Sequence, residues 1–239
     1  MPLSENYDGM GEFHDLFMNS AWARLEPLLR EAFASLTGSA TVLDVGAGTG
    51  LGTRMLARCT PARIVAVEPS RTMRAVLTAR VADDADLSRR VGIVADRVPG
   101  GLSRVRAPLA GFVCAHVLGH LTEADRRATF RRIAELLHPD GIGVVTTAAA
   151  GSDPAAVVVE EDRRIGELTY VARYRPPDDD GVSVAEYEVR DGASVLRREV
   201  YTSTWRTPTD EQLRAELADA GLHLELRGNR TAVVRPGAA

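Results

Sequence analysis

The chain contains no lysine, few cysteines and aromatic residues, and no long apolar run. All 29 basic residues are arginine, which with the abundant alanine and valine suggests a GC-rich genome such as an actinobacterial one. Two cysteines, Cys59 and Cys114, make neither a disulfide framework nor a metal pattern, and we expect both to be inert packing residues. No apolar run approaches the roughly 18 residues of a membrane span, so we expect no membrane partner.

The net charge of the chain excludes some classes of binding partner. The formal net charge is −4 and the pI is near 5.8, which argues against nucleic acid or an anionic membrane as the main partner. The N-terminus is polar and acidic and does not resemble a signal peptide, so we expect a cytoplasmic protein. The arginine pairs Arg126-Arg127 and Arg131-Arg132 are predicted to lie on a solvated helix face.

The central part of the chain alternates short apolar runs with amphipathic stretches, a pattern typical of βαβ units and a parallel sheet. The clearest helix is predicted at Glu123–Leu137, with Thr122 as its N-cap, and the following His-Pro-Asp-Gly is predicted to form a turn. The predicted strands are Thr41–Val45, Arg63–Val67, Gly92–Ala95, Ala110–Ala115 and Ile142–Thr147.

Both ends of this core carry additions. Trp22–Phe33 is predicted to be an amphipathic helix, preceded by an aromatic segment that packs as a cap. After residue 150, three antiparallel strands are predicted at Gly166–Arg175, Val182–Arg190 and Val195–Trp205, with Asp191-Gly192 as a hairpin turn. The predicted units are a cap at 1–38, a core at 39–150, a β insertion at 151–207 serving as acceptor lid or dimer face, and a last helix with closing strands at 208–239.

The most informative segment is Val42–Gly50, Val-Leu-Asp-Val-Gly-Ala-Gly-Thr-Gly, which predicts a strand, a turn without side chains and a helix start. Such a turn lets a ligand lie against bare backbone and offers free N–H groups. The spacing differs from the Gly-x-Gly-x-x-Gly of dinucleotide sites because position 51 is leucine. Glu68 directly follows the next predicted strand, at a place where an acid can accept hydrogen bonds from both ribose hydroxyls of a nucleoside ligand.

Taken in order, these segments resemble the class I S-adenosylmethionine (SAM)-dependent methyltransferases, including small-molecule enzymes such as aminosugar N-methyltransferases. The resemblance also rests on Ala95-Asp96, Phe112–Leu121 and Leu137–Gly141. It implies an α/β, Rossmann-like fold with a seven-stranded, mostly parallel sheet and helices on both faces. The implied SAM-binding residues are Asp44, Gly46, Ala47, Gly48, Gly50, Glu68, Pro69, Asp96, Arg97, Tyr7 and Trp22.

Catalytic candidates follow the fourth strand and lie in the cap. His116 and His120 either touch substrate or cofactor, or are structural, and His14 with Asp15 offers a second acid/base pair. Aromatic residues of the insertion line an acceptor pocket or bury the face of a homodimer; these are Tyr170, Tyr187, Tyr201 and Trp205.

The leading hypothesis is methyl transfer from SAM to nitrogen or oxygen of a small molecule, plausibly a secondary metabolite. Three alternatives stay open: a SAM-binding enzyme that catalyses cyclisation or decarboxylation, an NAD-dependent oxidoreductase, and a SAM sensor without chemistry. The oxidoreductase is disfavoured because Leu51 replaces a fingerprint glycine and the chain lacks the lysine of a Tyr-x-x-x-Lys pair.

Overall fold

Two β-sheets form the framework of the protein. The computed structural model describes residues 11–147, 159–175, 182–228 and 230–237. Its strands are β1 Thr41–Val45, β2 Arg63–Val67, β3 Val91–Val94, β4 Leu109–Cys114, β5 Leu137–Thr146, β6 Val159–Ile165, β7 Leu168–Arg175, β8 Val182–Asp191, β9 Ser194–Thr204, β10 Leu222–Gly228 and β11 Thr231–Pro236. Its helices are α1 Gly11–Phe33, α2 Leu51–Cys59, α3 Arg71–Ala82, α4 Ala85–Arg90, α5 Glu123–Leu136 and α6 Asp210–Ala218.

The larger sheet has seven strands in the order β10-β11-β5-β4-β1-β2-β3. Strands β1 to β5 pair in parallel, whereas β11 is antiparallel to β5 and to β10. The chain leaves β1 toward β2 on one side and later returns through β4 on the other, so the strand order reverses beside β1. In open α/β sheets ligands bind at such a point, outside the carboxyl ends of the strands.

The five strands predicted for the larger sheet are all present, with small shifts at their ends. Successive residues of β1 face opposite sides of the sheet, as a strand requires. Val42 packs with Leu29 and Phe33 of α1, while Leu43 packs with Phe130 of α5 and Leu217 of α6. The seven-stranded, Rossmann-like sheet therefore has helices on both faces, as predicted.

Three local predictions were wrong. The His-Pro-Asp-Gly segment does not form a separate turn, because β5 already begins at Leu137 and pairs there with Leu109 before the register shifts. The first helix begins at Gly11, far before the predicted Trp22. Arg126 is buried, because both nitrogens of its guanidinium edge bind Glu216 of α6, at 2.8 and 2.6 Å.

The insertion forms a four-stranded antiparallel sheet, β6-β7-β8-β9, one strand more than predicted. The predicted hairpin turn between β8 and β9 is confirmed, with Gly192 at φ 54°. Residues 176–181, which join the first two predicted strands of the insertion, lie outside the described residues. Within the described parts of the chain, no helix is long and apolar enough to cross a membrane.

The aromatic residues of the insertion pack against the cap helix. The ring of Tyr187 stacks on Phe13 at 4.5 Å between centroids and also contacts Phe17. Tyr170 meets Phe13 edge-on, and Tyr201 contacts Tyr187. This cluster joins α1 to the smaller sheet, which explains why the N-terminal segment is rich in aromatic residues.

Candidate active site

The glycine turn lies at the carboxyl end of β1. Gly46, Gly48 and Gly50 have φ values of 69°, 56° and 86°, which only glycine adopts without strain. The N–H groups of Gly46 and Ala47 both donate to the Val67 carbonyl, at 2.9 and 3.1 Å. This fixes the turn against the end of β2. A Cβ on Gly46 would lie 2.5 Å from a methyl group of Val117, so the turn also requires glycine for space.

Glu68 is clamped at the end of β2. One carboxylate oxygen accepts the N–H of Gly48 and the other accepts the N–H of Ser70, both at 2.8 Å. The side chain is buried, and burial raises the pKa of Glu68, although these two hydrogen bonds oppose the rise. Each oxygen keeps acceptor capacity for a further donor, so the carboxylate can bind a pair of hydroxyl groups.

Asp44 lies beneath the turn rather than in the open cavity. Its carboxylate is buried and accepts the Thr53 hydroxyl at 2.7 Å, which ties β1 to the first turn of α2. Burial raises the pKa of Asp44 to about 6, with Glu68 adding to the rise. Asp44 therefore stabilises the turn through its hydrogen bond to Thr53.

An open cavity lies over the turn. Its volume is about 1140 Å³ when the solvent-filled space at its mouth is included. Ten of the predicted site residues line it: Gly46, Ala47, Gly48, Glu68, Pro69, Arg97, Trp22, His14, His116 and His120. Asp44, Gly50 and Asp96 do not line it, and Tyr7 lies outside the described residues. Asp96 instead accepts the N–H of Arg97 at 2.8 Å and so shapes the loop that carries Arg97 to the wall.

The cap helix closes one side of the cavity. The Trp22 ring packs so tightly over α2 that a Cβ on Gly52 would lie 2.2 Å from it. About two turns earlier in α1, Asp15 accepts the Thr49 hydroxyl and binds Arg80 of α3 at 2.5 Å. These bonds hold the pKa of Asp15 well below its usual range against the effect of burial. The contacts of Asp15 with Thr49 and Arg80 thus hold the cap helix against the glycine turn, and we call them the Asp15 latch.

His14 is oriented by the same latch. Its Nδ1 lies 3.2 Å from Asp15, and the ring lines the cavity beside Gly48. The prediction that His14 and Asp15 form a pair is consistent with this contact. Asp15, which also binds Arg80, orients the imidazole ring at the cavity wall.

His116 and His120 line the cavity from the segment that follows β4. His116 has φ 56°, its N–H donates to the Thr146 hydroxyl at 2.8 Å, and its ring meets Trp22 edge-on. Its Nε2 is buried and has no hydrogen-bond partner among the described residues. His120 meets the Trp205 ring at 4.3 Å between centroids. Burial lowers the pKa of each histidine to about 4, so both are neutral at pH 7.

Sequence reasoning missed several wall residues. Met18, Met73 and Val98 supply apolar surface, and Asp125 supplies a carboxylate at the start of α5. Hydrophobic spacing gave no signal for them, because each side chain is an ordinary helix or loop residue until the fold brings it to this edge. Thr49 and Ser70, in contrast, flank predicted residues of the turn and of β2 and could have been included.

The arrangement fits a nucleoside cofactor. Bare backbone at the turn permits close approach, Glu68 offers two acceptor oxygens, and the orphaned Nε2 of His116 marks a buried polar position for a ligand. The same cavity also holds His14 and His120, so a second reactant has polar groups to meet there.

Comparison with known proteins agrees with this geometry. Residues 42–141 match the model of a family described as a methyltransferase domain. These residues of the core are therefore similar to a methyltransferase domain. The predicted resemblance to methyltransferases is thereby confirmed, and the oxidoreductase alternative loses its support. No curated protein matches the chain significantly.

Solved structures share the fold over nearly the whole chain. DesVI of Streptomyces venezuelae is 18% identical, with 99% of each chain covered and a TM-score of 0.69. The sugar N-methyltransferase KedS8 from a Streptoalloteichus species is 20% identical, with 100% of this chain and 95% of that chain covered and a TM-score of 0.69. CalS10 of Micromonospora echinaspora, an amino pentose methyltransferase involved in calicheamicin biosynthesis, was solved with SAM bound. It is 21% identical, with 90% of each chain covered and a TM-score of 0.67.

Proposed function

We propose that this methyltransferase domain transfers the methyl group of SAM to an amine nitrogen of a small molecule of the natural-product type. The proposal rests on one observation: the glycine turn, Glu68 with its two backbone hydrogen bonds, and three histidines all line the same cavity. The printed functions of KedS8 and CalS10, a sugar N-methyltransferase and an amino pentose methyltransferase, support the choice of a small amine.

The cofactor would be held by backbone on one side and carboxylate on the other. Gly46 and Gly48 leave room for its amino-acid portion, Glu68 accepts its ribose hydroxyls, and Arg97 with Val98 borders its base. Trp22 excludes water from the cap side. When bound, SAM supplies a methyl group that its sulfonium already makes electrophilic, so the protein's main task is alignment.

The low pKa values of His116 and His120 favour an amine over a hydroxyl as the group that accepts the methyl. A general base works best when its pKa lies near the working pH, and pKa values near 4 make His116 and His120 weak bases. An alcohol would need a strong base to become a nucleophile, whereas an amine needs only its free form. His116 and His120 can still accept a hydrogen bond from an amine N–H and orient its lone pair.

His14 has a different task in this proposal. Transfer to a neutral amine breaks the S–C bond of the sulfonium and forms an N–C bond, so the product nitrogen carries a positive charge and its N–H can donate a hydrogen bond to an oriented imidazole at the cavity wall. Asp15 fixes the ring so that Nδ1 faces the carboxylate and Nε2 remains for the reactant. His14 would thus orient the cationic product and would not act as a base before the transfer.

The test is a transfer assay with matched acceptors that differ only in an amine or a hydroxyl group, using SAM labelled in its methyl group. We expect label in the amines alone, with a mass gain of one CH2, and a rate that follows the titration of each amine. Transfer to hydroxyls with a rate that follows a histidine near neutrality would overturn the choice of nitrogen. Tight cofactor binding without a methylated product from any acceptor would favour the cyclisation or decarboxylation alternative.

A further inference from the structure

A second cavity lies behind His116, and that residue lines both cavities. Its wall combines parts of the fold that are far apart in sequence: α1, the loop after β4, the end of β5, the segment before α6 and the β10–β11 turn.

The charged side chains that line this second cavity, among the described residues, are arginines. Arg24 and Arg230 line it from opposite elements, and no described residue with a carboxylate does so. Within the described parts of the chain, neither guanidinium takes part in a salt bridge, although most other arginines of the chain do. Both side chains are solvent-exposed, so they remain available to an incoming ligand.

Hydroxyl groups add neutral donors to the two arginines. Thr146 Oγ1 already accepts the His116 N–H at 2.8 Å, and Thr207 Oγ1 accepts the Trp205 indole N–H at 2.6 Å. A hydroxyl that accepts in this way keeps its own proton to donate. The wall therefore presents two guanidinium groups and two hydroxyl donors, a set that matches the oxygens of a phosphate or carboxylate.

The position of Arg230 is set by the backbone. Arg230 has φ 59°, and its carbonyl accepts the N–H of Thr147 at 2.8 Å. This bond ties the β10–β11 turn to the end of β5, where Thr146 supports His116. The anion-binding groups and the histidine are thus parts of one connected structure.

We propose that the second cavity is an anion subsite of the acceptor site, which binds a phosphate or carboxylate group carried by the same molecule that is methylated. The inference rests on the proposed function, because the acceptor nitrogen would reach past His116 into the first cavity. An acceptor with this anionic group binds at two points and is aligned better than a neutral amine.

The two tryptophans allow both cavities to be followed separately. Trp22 lines the first cavity and Trp205 lines the second, and the chain contains no other tryptophan. Each indole N–H gives its own signal in a proton–nitrogen spectrum, and a Trp205→Phe variant assigns them. Inorganic phosphate, acetate and S-adenosylhomocysteine (SAH) are titrated in turn at constant ionic strength.

The decisive comparison uses two double variants that remove the same charge. Arg24→Gln/Arg230→Gln empties the proposed subsite, whereas Arg131→Gln/Arg235→Gln changes exposed arginines that line neither cavity. We expect phosphate or acetate to shift the Trp205 signal of the wild type saturably. We expect binding to weaken by about tenfold or more in the first variant and to stay unchanged in the control.

Each outcome of these titrations either supports or contradicts the anion subsite or the cofactor site. A stronger shift with phosphate than with acetate assigns a phosphoryl-bearing acceptor, and the reverse assigns a carboxylate. A Trp205 signal that neither anion moves, or equal binding by the Arg24/Arg230 variant, overturns the subsite. The SAH titration tests the proposed function independently: a Trp22 signal that does not respond to SAH counts against the cofactor site, whatever the anions do.

Discussion

The buried pair between Arg126 and Glu216 gives a quantitative test of the packing between α5 and α6. The Glu216 side chain is 1% exposed and that of Arg126 is 8% exposed, and two parallel hydrogen bonds join them. A third bond, from Arg126 to the carbonyl of Leu121 at 2.9 Å, links the pair to the wall of the first cavity. The perturbation is Arg126→Met, which keeps the bulk of the side chain but leaves a buried carboxylate without its partner.

The expected cost follows from burial. Removing one partner of a buried pair lowers the free energy of unfolding by about 3–5 kcal/mol, because the remaining charge is desolvated and uncompensated. In a chain of this size each kcal/mol shifts the Tm by about 2–4 °C, so the Tm should fall by roughly 6–20 °C. The double variant Arg126→Met/Glu216→Met removes both charges and should return to within about 2 kcal/mol of the wild type.

Urea denaturation of the wild type, both single variants and the double variant gives the full cycle. The neighbouring arginine is a matched control, because Arg127 pairs with Glu123 and Asp219 on the surface, where the three side chains are 29%, 62% and 64% exposed. Arg127→Met should cost about 1 kcal/mol or less. Equal costs for Arg126→Met and Arg127→Met would refute the reasoning, as would a double variant less stable than either single variant.

Three further predictions concern the site. Because the folded state holds the Asp44 proton more tightly than the unfolded state, stability should fall as pH rises from 3.8 to about 6. Between pH 4 and pH 7 the fall should be about 2 kcal/mol relative to Asp44→Asn, measured by urea midpoints at those two pH values; parallel curves would contradict it. Asp15→Asn should loosen the latch to Arg80 and speed amide exchange in the first turns of α1, whereas unchanged exchange would show that the latch is not needed. Gly46→Ala should cost about 1–3 kcal/mol through its positive φ and lack of space, and wild-type stability would contradict the strained turn.

The parts of the fold that sequence predicts are those specified locally. The strand, turn and helix around Gly46–Gly50 follow from short-range chemistry, and the strand that ends at Glu68 is a plain apolar run. The capping box of α6, in which Thr209 and Gln212 bind each other's backbone N–H, is equally local. These elements were predictable because neighbouring residues alone determine them.

What sequence could not predict depends on distant partners. Strand β6 carries the charged run Glu-Glu-Asp-Arg-Arg, and it is a strand only because β7 pairs with it along its length. Arg126 reads as a surface residue until Glu216, ninety positions later, is brought against it. The second cavity likewise has no local signature, since Arg24 and Arg230 come from opposite ends of the chain.

We propose that the glycine turn and Glu68 bind SAM. The direct measurement is calorimetric titration of the wild type and of Glu68→Ala with SAM, SAH and NAD, with Glu167→Ala as a matched control, because Glu167 is 90% exposed and lies outside the cavity wall. We expect SAM and SAH to bind the wild type and Glu167→Ala, Glu68→Ala to bind them at least about tenfold more weakly, and NAD not to bind. Binding of NAD alone, or undiminished SAM binding by Glu68→Ala, would contradict it.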